Sequence, residues 1–149
     1  MPLPKWVSPQ ELLSYAALLH GLNDVRKTVD SSLETWDCAS FRLKPLAACS
    51  YGMQKRVGLA LATIHKPALL ILDEPFSGLD LYHIHTLEKA LSERQKEGKT
   101  TVLSTHILPY VVSACNRVWI LASGRLSELS DWTKMSSSDK MNSIERQFF

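Results

Sequence analysis

Two adjacent carboxylates, Asp73 and Glu74, follow the apolar run Leu69-Leu-Ile-Leu72 and precede Pro75. A short apolar run bounded by prolines suits a central strand of a parallel sheet, buried on both faces. Open α/β sheets place ligands at the carboxyl ends of such strands. Successive strand residues point to opposite sides, so the two acids are expected to take different roles. One suits Mg²⁺, a hard cation satisfied by one or two carboxylates plus phosphates and water. The other could accept a proton from, or orient, an attacking water. A plainer reading, a helix cap and a surface acid after a strand, fits the same two residues.

Other groups fall at comparable places. The run Thr100-Thr-Val-Leu-Ser104 leads into Thr105-His106, again at the carboxyl end of an expected strand. A histidine there is either a hydrogen-bonding structural group or a catalytic one. Ser50-Tyr51-Gly52-Met53 opens a helical pattern, where free amides and the helix dipole favour an anion such as phosphate. Gly52 permits close backbone approach, although Ser50 also serves as an ordinary N-cap.

The elements that must position these groups follow from periodicity. Ser8-Pro9-Gln10-Glu11 is a capping box with proline at the first helical position. Leu12, Tyr15, Ala16 and Leu19 repeat at helical spacing, and Gly21 supplies a left-handed stop. Val25, Val29, Leu33 and Trp36 predict a second helix, and residues 37–48 a loop. Met53, Val57, Leu61 and Ile64 predict the inner face of a helix from Ser50 to His65, closed by Pro67. A strand at 68–72, a helix from Asp80 to Gly98 with Ile84, Leu87 and Leu91 inward, and a strand at 100–104 follow. Leu108, Val111, Val112 and Cys115 mark a further helix, 118–121 a third strand, and Arg125–Ser127 a short fourth.

Strand and helix thus alternate as in a parallel, helix-flanked sheet. A helical subdomain with the Ser50 segment (1–66) precedes a partial α/β core (67–129) and a C-terminal tail (130–149).

The chain's 149 residues are the size of one domain. Its 45% apolar and 21% charged content excludes a disordered tail or a fibre. Seventeen Lys+Arg against fifteen Asp+Glu give a net charge of +2, with no basic patch to argue for nucleic acid. Three widely spaced cysteines, Cys38, Cys49 and Cys115, form neither a disulfide framework nor a zinc motif. The first ten residues lack the apolar stretch of a signal peptide. No run approaches the roughly 20 apolar residues of a membrane helix, so any membrane role is expected to pass through a partner.

Taken together, Cys49-Ser-Tyr-Gly-Met-Gln-Lys-Arg56, Leu70-Ile-Leu-Asp-Glu-Pro75, Ser77-Gly-Leu-Asp80 and Leu103-Ser-Thr-His106 resemble, in order and spacing, the ATP-binding subunits of ABC transporters. These segments are similar to that family's signature motif, Walker B, D-loop and switch histidine. Cys115-Asn-Arg-Val and Gly124-Arg-Leu continue the likeness, and Ser143–Phe149 resembles a closing helix. The resemblance implies a P-loop NTPase core of ABC type, ATP and Mg²⁺ as cofactors, a transmembrane permease partner and a second nucleotide-binding subunit. It implies Asp73 as the Mg²⁺ carboxylate, Glu74 as general base and His106 as γ-phosphate sensor. Ser50, Tyr51, Gly52 and Met53 would reach ATP on the opposite subunit, and Asp80 would contact across that dimer. The Ser-Tyr-Gly-Met form is similar to exporter-type subunits, which implies work at the inner face of a cell membrane.

The sequence also departs from the pattern. No G-x-x-x-x-G-K-[ST] occurs in it. Gly98-Lys-Thr100 has Glu93 where the first glycine is required, and it follows a helix and precedes a strand, the reverse of a P-loop. The adenine-stacking aromatic and the glutamine loop are missing as well. The expectation is a chain that starts just after that loop, lacks the Walker A portion and is inactive alone. Cys49 stands where leucine is usual and Asn116 where aspartate is usual. The alternative is a non-catalytic remnant or docking module that binds a membrane or nucleotide-binding partner. A chromosome-maintenance ATPase is disfavoured, since no heptad run precedes Ser50.

Overall fold

The computed structural model describes residues 4–148. Residues 1–3 and Phe149, the ends of the first and last sequence segments, lie outside the described residues. The chain divides into two compact units, one ending at Ser104 and one beginning at Thr105. These units are cut by packing, whereas the segments 1–66, 67–129 and 130–149 follow motifs.

The first unit opens with α1 (Pro9–Leu19), whose capping box is formed. The Ser8 amide donates to Glu11 Oε2 at 2.8 Å, and the Glu11 amide donates to Ser8 Oγ at 3.3 Å. The buried stripe of α1 is Pro9, Leu13, Ala16 and Ala17, not the expected Leu12–Tyr15–Ala16–Leu19 set. Tyr15 and Leu19 face solvent. Two apolar stripes run side by side on this helix, and the one with small alanines lets α2 approach closely.

Helix α2 (Val25–Thr35) buries Val29 and Leu33, with Trp36 as its buried C-cap. The Trp36 indole donates to Thr63 Oγ1 at 3.2 Å and ties α2 to α3 (Tyr51–Thr63). Between them, residues expected to be a loop contain short 3₁₀ turns at Ala39–Phe41 and Leu46–Ala48. In α3, Val57, Leu59, Ala60 and the C-cap Ile64 are buried, while Met53 and Leu61 are half-buried.

Strand β1 (Leu69–Asp73) pairs in parallel with β2 (Thr100–Ser104), from Leu69 opposite Thr100 to Asp73 opposite Ser104. The crossover is α4 (Leu81–Lys96), which buries Leu87 and Leu91 and packs on β2. Arg94 is also buried, donating to the carbonyls of Pro67 (3.0 Å) and Thr100 (3.2 Å) and to Thr101 Oγ1 (3.3 Å). The expectation that β1 is buried on both faces fails. Leu70 is buried, but Leu69 and Ile71 on the other face are 53% and 70% exposed, and Val102 beside Ile71 is 47% exposed. The α4 crossover covers one face of this two-stranded sheet only.

The second unit contains α5 (Leu108–Ala114), β3 (Trp119–Ala122), β4 (Arg125–Glu128), a 3₁₀ turn at Trp132–Lys134 and α6 (Ser137–Phe148). Val111, Val112, Val118, Ile120, Trp132 and Ile144 form its core. The third strand was expected in the parallel sheet; β3 instead pairs antiparallel with β4. Ser123 and Gly124 both have positive φ (49° and 75°), the two-residue turn that closes a tight hairpin. The parallel, helix-flanked α/β arrangement therefore resides in β1–α4–β2.

Candidate functional site

The site in the first unit is built at the carboxyl ends of β1 and β2. Parallel register sets Asp73 beside Ser104, and the Ser104 hydroxyl donates to Asp73 Oδ1. Ser104 also receives the Glu74 amide, at 3.0 Å on Oγ and 3.2 Å on the carbonyl. Asp73 is exposed at the strand end, and Glu74 is half-buried.

Glu74 is not simply the next residue of the strand. Its φ is 42°, a left-handed conformation that a side chain adopts only under constraint. Ser104 holds its amide from one side. Lys55 holds its carbonyl from the other, with Nζ donating at 2.7 Å. The two acids are separated by this turn of the backbone rather than by strand alternation.

The Ser50 segment lies at the head of α3. Ser50 Oγ accepts the Met53 amide at 3.3 Å, an N-cap. A Cβ on Gly52 would lie 3.0 Å from the Gly78 carbonyl oxygen, so the missing side chain admits the 77–79 loop. Gly78 has φ 75°, and a Cβ there would meet the Tyr51 ring at 2.3 Å. Tyr51 is itself largely exposed. Asp80 is the N-cap of α4: its Oδ1 accepts the His83 amide at 3.0 Å and lies 2.7 Å from His83 Nδ1. These bonds from His83 hold the Asp80 carboxyl below the usual carboxylate range. His106 lies exposed near the start of the second unit, its carbonyl accepting the Leu108 amide at 3.1 Å.

The first unit therefore brings Asp73 and Glu74 together at one strand end, and Tyr51 and Gly52 together with the 77–79 loop. His106 belongs to the other unit. No cluster of three metal-ligating side chains occurs among the described residues. One exposed carboxylate fits Mg²⁺, which takes most of its ligands from phosphates and water. Burial pushes the Cys38 thiol up to about 12, which removes it as a nucleophile.

Sequence reasoning missed Lys55, Ser104 and Arg56. Ser104 ends its expected strand and was visible as such, but its place opposite Asp73 depends on the register, which is one residue beyond what pairing 68–72 with 100–104 end to end would give. Lys55 lies one turn beyond Tyr51 and Gly52 on α3, but its partner is a backbone carbonyl and leaves no trace in sequence.

The ABC transporter family profile matches residues 7–77. Over 117 residues the chain is 34% identical to an uncharacterized ABC transporter ATP-binding protein of Methanocaldococcus jannaschii, covering 77% of this chain and 45% of that protein. It is 36% identical over 105 residues to an energy-coupling factor transporter ATP-binding protein of Clostridium perfringens, covering 70% of this chain and 37% of the relative. A human glucosylceramide transporter is 32% identical over 121 residues, covering 80% of this chain and 5% of the relative. The chain thus spans less than half the length of these curated relatives. A solved ATP-binding subunit of an ABC transporter superposes with TM-score 0.81 at 27% identity, covering 97% of this chain and 65% of that one. No helix among the described residues is long and apolar enough to cross a membrane. Sequence and fold together place the chain with the ATP-binding domains of ABC transporters.

Proposed function

We propose that this chain supplies the signature and Walker B portion of an ABC transporter ATP-binding subunit, coupling ATP binding and hydrolysis to export through a partner permease at the inner face of a membrane. The observation that carries the reading is the Asp73–Ser104–Glu74 cluster at the carboxyl ends of paired parallel strands. In this reading Asp73 holds Mg²⁺, which offsets charge on the phosphates. Glu74 orients and deprotonates the attacking water, and its backbone, fixed by Lys55 and Ser104, sets where the carboxylate points. His106 donates to the γ-phosphate. Ser50, Tyr51, Gly52 and Met53 present the head of α3 to ATP held by a second subunit, and Asp80 contacts that subunit.

The 149 residues contain no phosphate loop. The reading therefore requires another segment, in the same polypeptide or a separate one, to supply the Walker A lysine. Positioning provides most of phosphoryl-transfer catalysis, so the 149-residue chain should hydrolyse ATP no faster than its Glu74→Gln variant. Added to a polypeptide carrying the Walker A half, it should give Mg²⁺-dependent activity that falls steeply with Glu74→Gln and falls also with His106→Ala. Ser50→Arg should block the cross-subunit contact while leaving nucleotide binding at the chain's own site nearly intact.

The second reading, a docking module without hydrolysis, is favoured by the open apolar face of Leu69, Ile71 and Val102. Absence of activity in every such mixture would establish it over the first.

A further inference from the structure

Four charged or titratable side chains on or beside three helices meet away from the carboxylate cluster. Asp37 follows α2, Arg56 lies on α3, and Asp80 and His83 begin α4. Arg56 Nη1 donates to the Asp37 carbonyl at 2.6 Å and to Asp37 Oδ2 at 2.7 Å. His83 Nδ1 lies 2.7 Å from Asp80 Oδ1. Its Nε2 lies between two partners of opposite kind: Arg56 Nη1 at 2.8 Å and Asp37 Oδ2 at 3.3 Å. The Tyr82 ring packs edge-on against the imidazole and adds no charge at this contact. The side chains of Arg56 and His83 are each only 12% exposed, whereas those of Asp37 and Asp80 are 59% and 67% exposed, so the cluster is covered on its cationic side and open to water on its carboxylate side.

The geometry at Nε2 admits two hydrogen-bond patterns that exclude each other. A neutral ring, with its proton on Nδ1 for Asp80, accepts from Arg56 at Nε2. A protonated ring has no lone pair for Arg56 and donates from Nε2 to Asp37. The imidazolium then bridges two carboxylates on separate elements, while Arg56 keeps the Asp37 carbonyl. Histidine is the side chain suited to such an exchange near neutral pH.

We propose that His83 is a proton-operated latch between the α2–α3 region and the head of α4, and that it sets how firmly the turn from Glu74 to Asp80 is held. In the neutral state the connection runs through Arg56. In the charged state it is a direct bridge from Asp37 to Asp80. His83 is thereby a positioning residue for Asp80, acting independently of any bound nucleotide. This goes beyond the transport reading, and its test uses neither ATP nor activity.

The test is imidazole ¹⁵N NMR of the full chain from pH 8 to pH 5, with amide hydrogen exchange of residues 76–83 corrected for intrinsic rates. At pH 8 the ring should carry its proton on Nδ1, with an acceptor-type Nε2. As pH falls, Nε2 should gain a proton, and protection of 76–83 should rise about three- to tenfold, the worth of one net hydrogen bond. Asp37→Asn should abolish most of that rise, and His83→Gln should make protection independent of pH. An Nε2-protonated neutral tautomer at pH 8, a ring that does not titrate over this range, or an Asp37→Asn response equal to wild type would overturn the proposal. The tautomer and titration arms need only the wild-type chain, so they decide the matter even if a variant fails to fold.

Discussion

Lys55 reaches from α3 to the residue after β1, its ammonium donating to the carbonyl oxygen of Glu74 at 2.7 Å. The helix that carries the signature-like segment therefore grips the backbone of the proposed base. Lys55→Met keeps the aliphatic stem and removes the donor. Hydrogen bonds from charged groups contribute about 1.5–3 kcal/mol, so urea unfolding should give a loss toward the lower end of that range. Lys55→Arg should recover part of it. A Lys55→Met chain as stable as wild type would contradict this grip.

Gly78 and Tyr51 form a steric pair. Gly78→Ala introduces a methyl group against the Tyr51 ring at a φ of 75°, a clash added to a left-handed strain of roughly 1 kcal/mol. Thermal melts should order the proteins wild type, then Gly78→Ala with Tyr51→Ala, then Gly78→Ala alone. The double variant relieves the clash and keeps the backbone penalty. Equal losses in the single and double variants would mean that the ring does not confine this loop.

The open face of the β1–β2 pair should make the 149-residue chain self-associate, because exposed apolar sheet surface invites contact. Sedimentation velocity should report concentration-dependent oligomers. Ile71→Lys should shift the population toward monomer with little change in the melting temperature, since Ile71 is 70% exposed. A monodisperse wild-type monomer at high concentration would refute this expectation.

His65 stacks on His20 with ring centroids 3.9 Å apart. Burial first, then the charges of His20 and Arg94, hold the His65 imidazole below its usual range. The unfolded chain thus binds its proton more readily than the folded chain. Stability is fully present above the ordinary histidine range near pH 6.5 and is lost as pH falls toward the depressed folded value. His65→Gln should flatten the urea midpoint between about pH 7 and pH 5, and an unchanged slope would remove His65 as the cause.

Periodicity and capping chemistry made most elements legible. The Ser8–Glu11 capping box and the start of a long helix after Asp80 stand where the residue types put them, and of the stripe Val25, Val29, Leu33 and Trp36 the last three are buried and Val25 is half-buried. Competition between equivalent patterns was not legible. In α1, Leu13 and Tyr15 are both apolar and close to Ala16, and the packing of α1 on α2 and α3 buries Leu13 and leaves Tyr15 exposed. In β1, four consecutive apolar residues signal burial on both faces, yet burial depends on what lies opposite, which a strand's own sequence does not contain. At the site, the Asp73–Glu74 pair was visible as chemistry. The left-handed Glu74 backbone and its two anchors depend on α3 and β2, which are distant in sequence.

The buried guanidinium of Arg94 has one further consequence. Parallel strands have no hairpin turn to fix their alignment, and a shift of one residue would exchange the two faces. Arg94 binds the carbonyl of Pro67, just before β1, and that of Thr100, the first residue of β2. It works as a ruler laid across the entrances of both strands. Alignment set there is carried five residues along the pair, to the far end where Asp73 meets Ser104. The accuracy of the carboxylate cluster is thus decided at the opposite edge of the sheet, by a cation that touches neither acid.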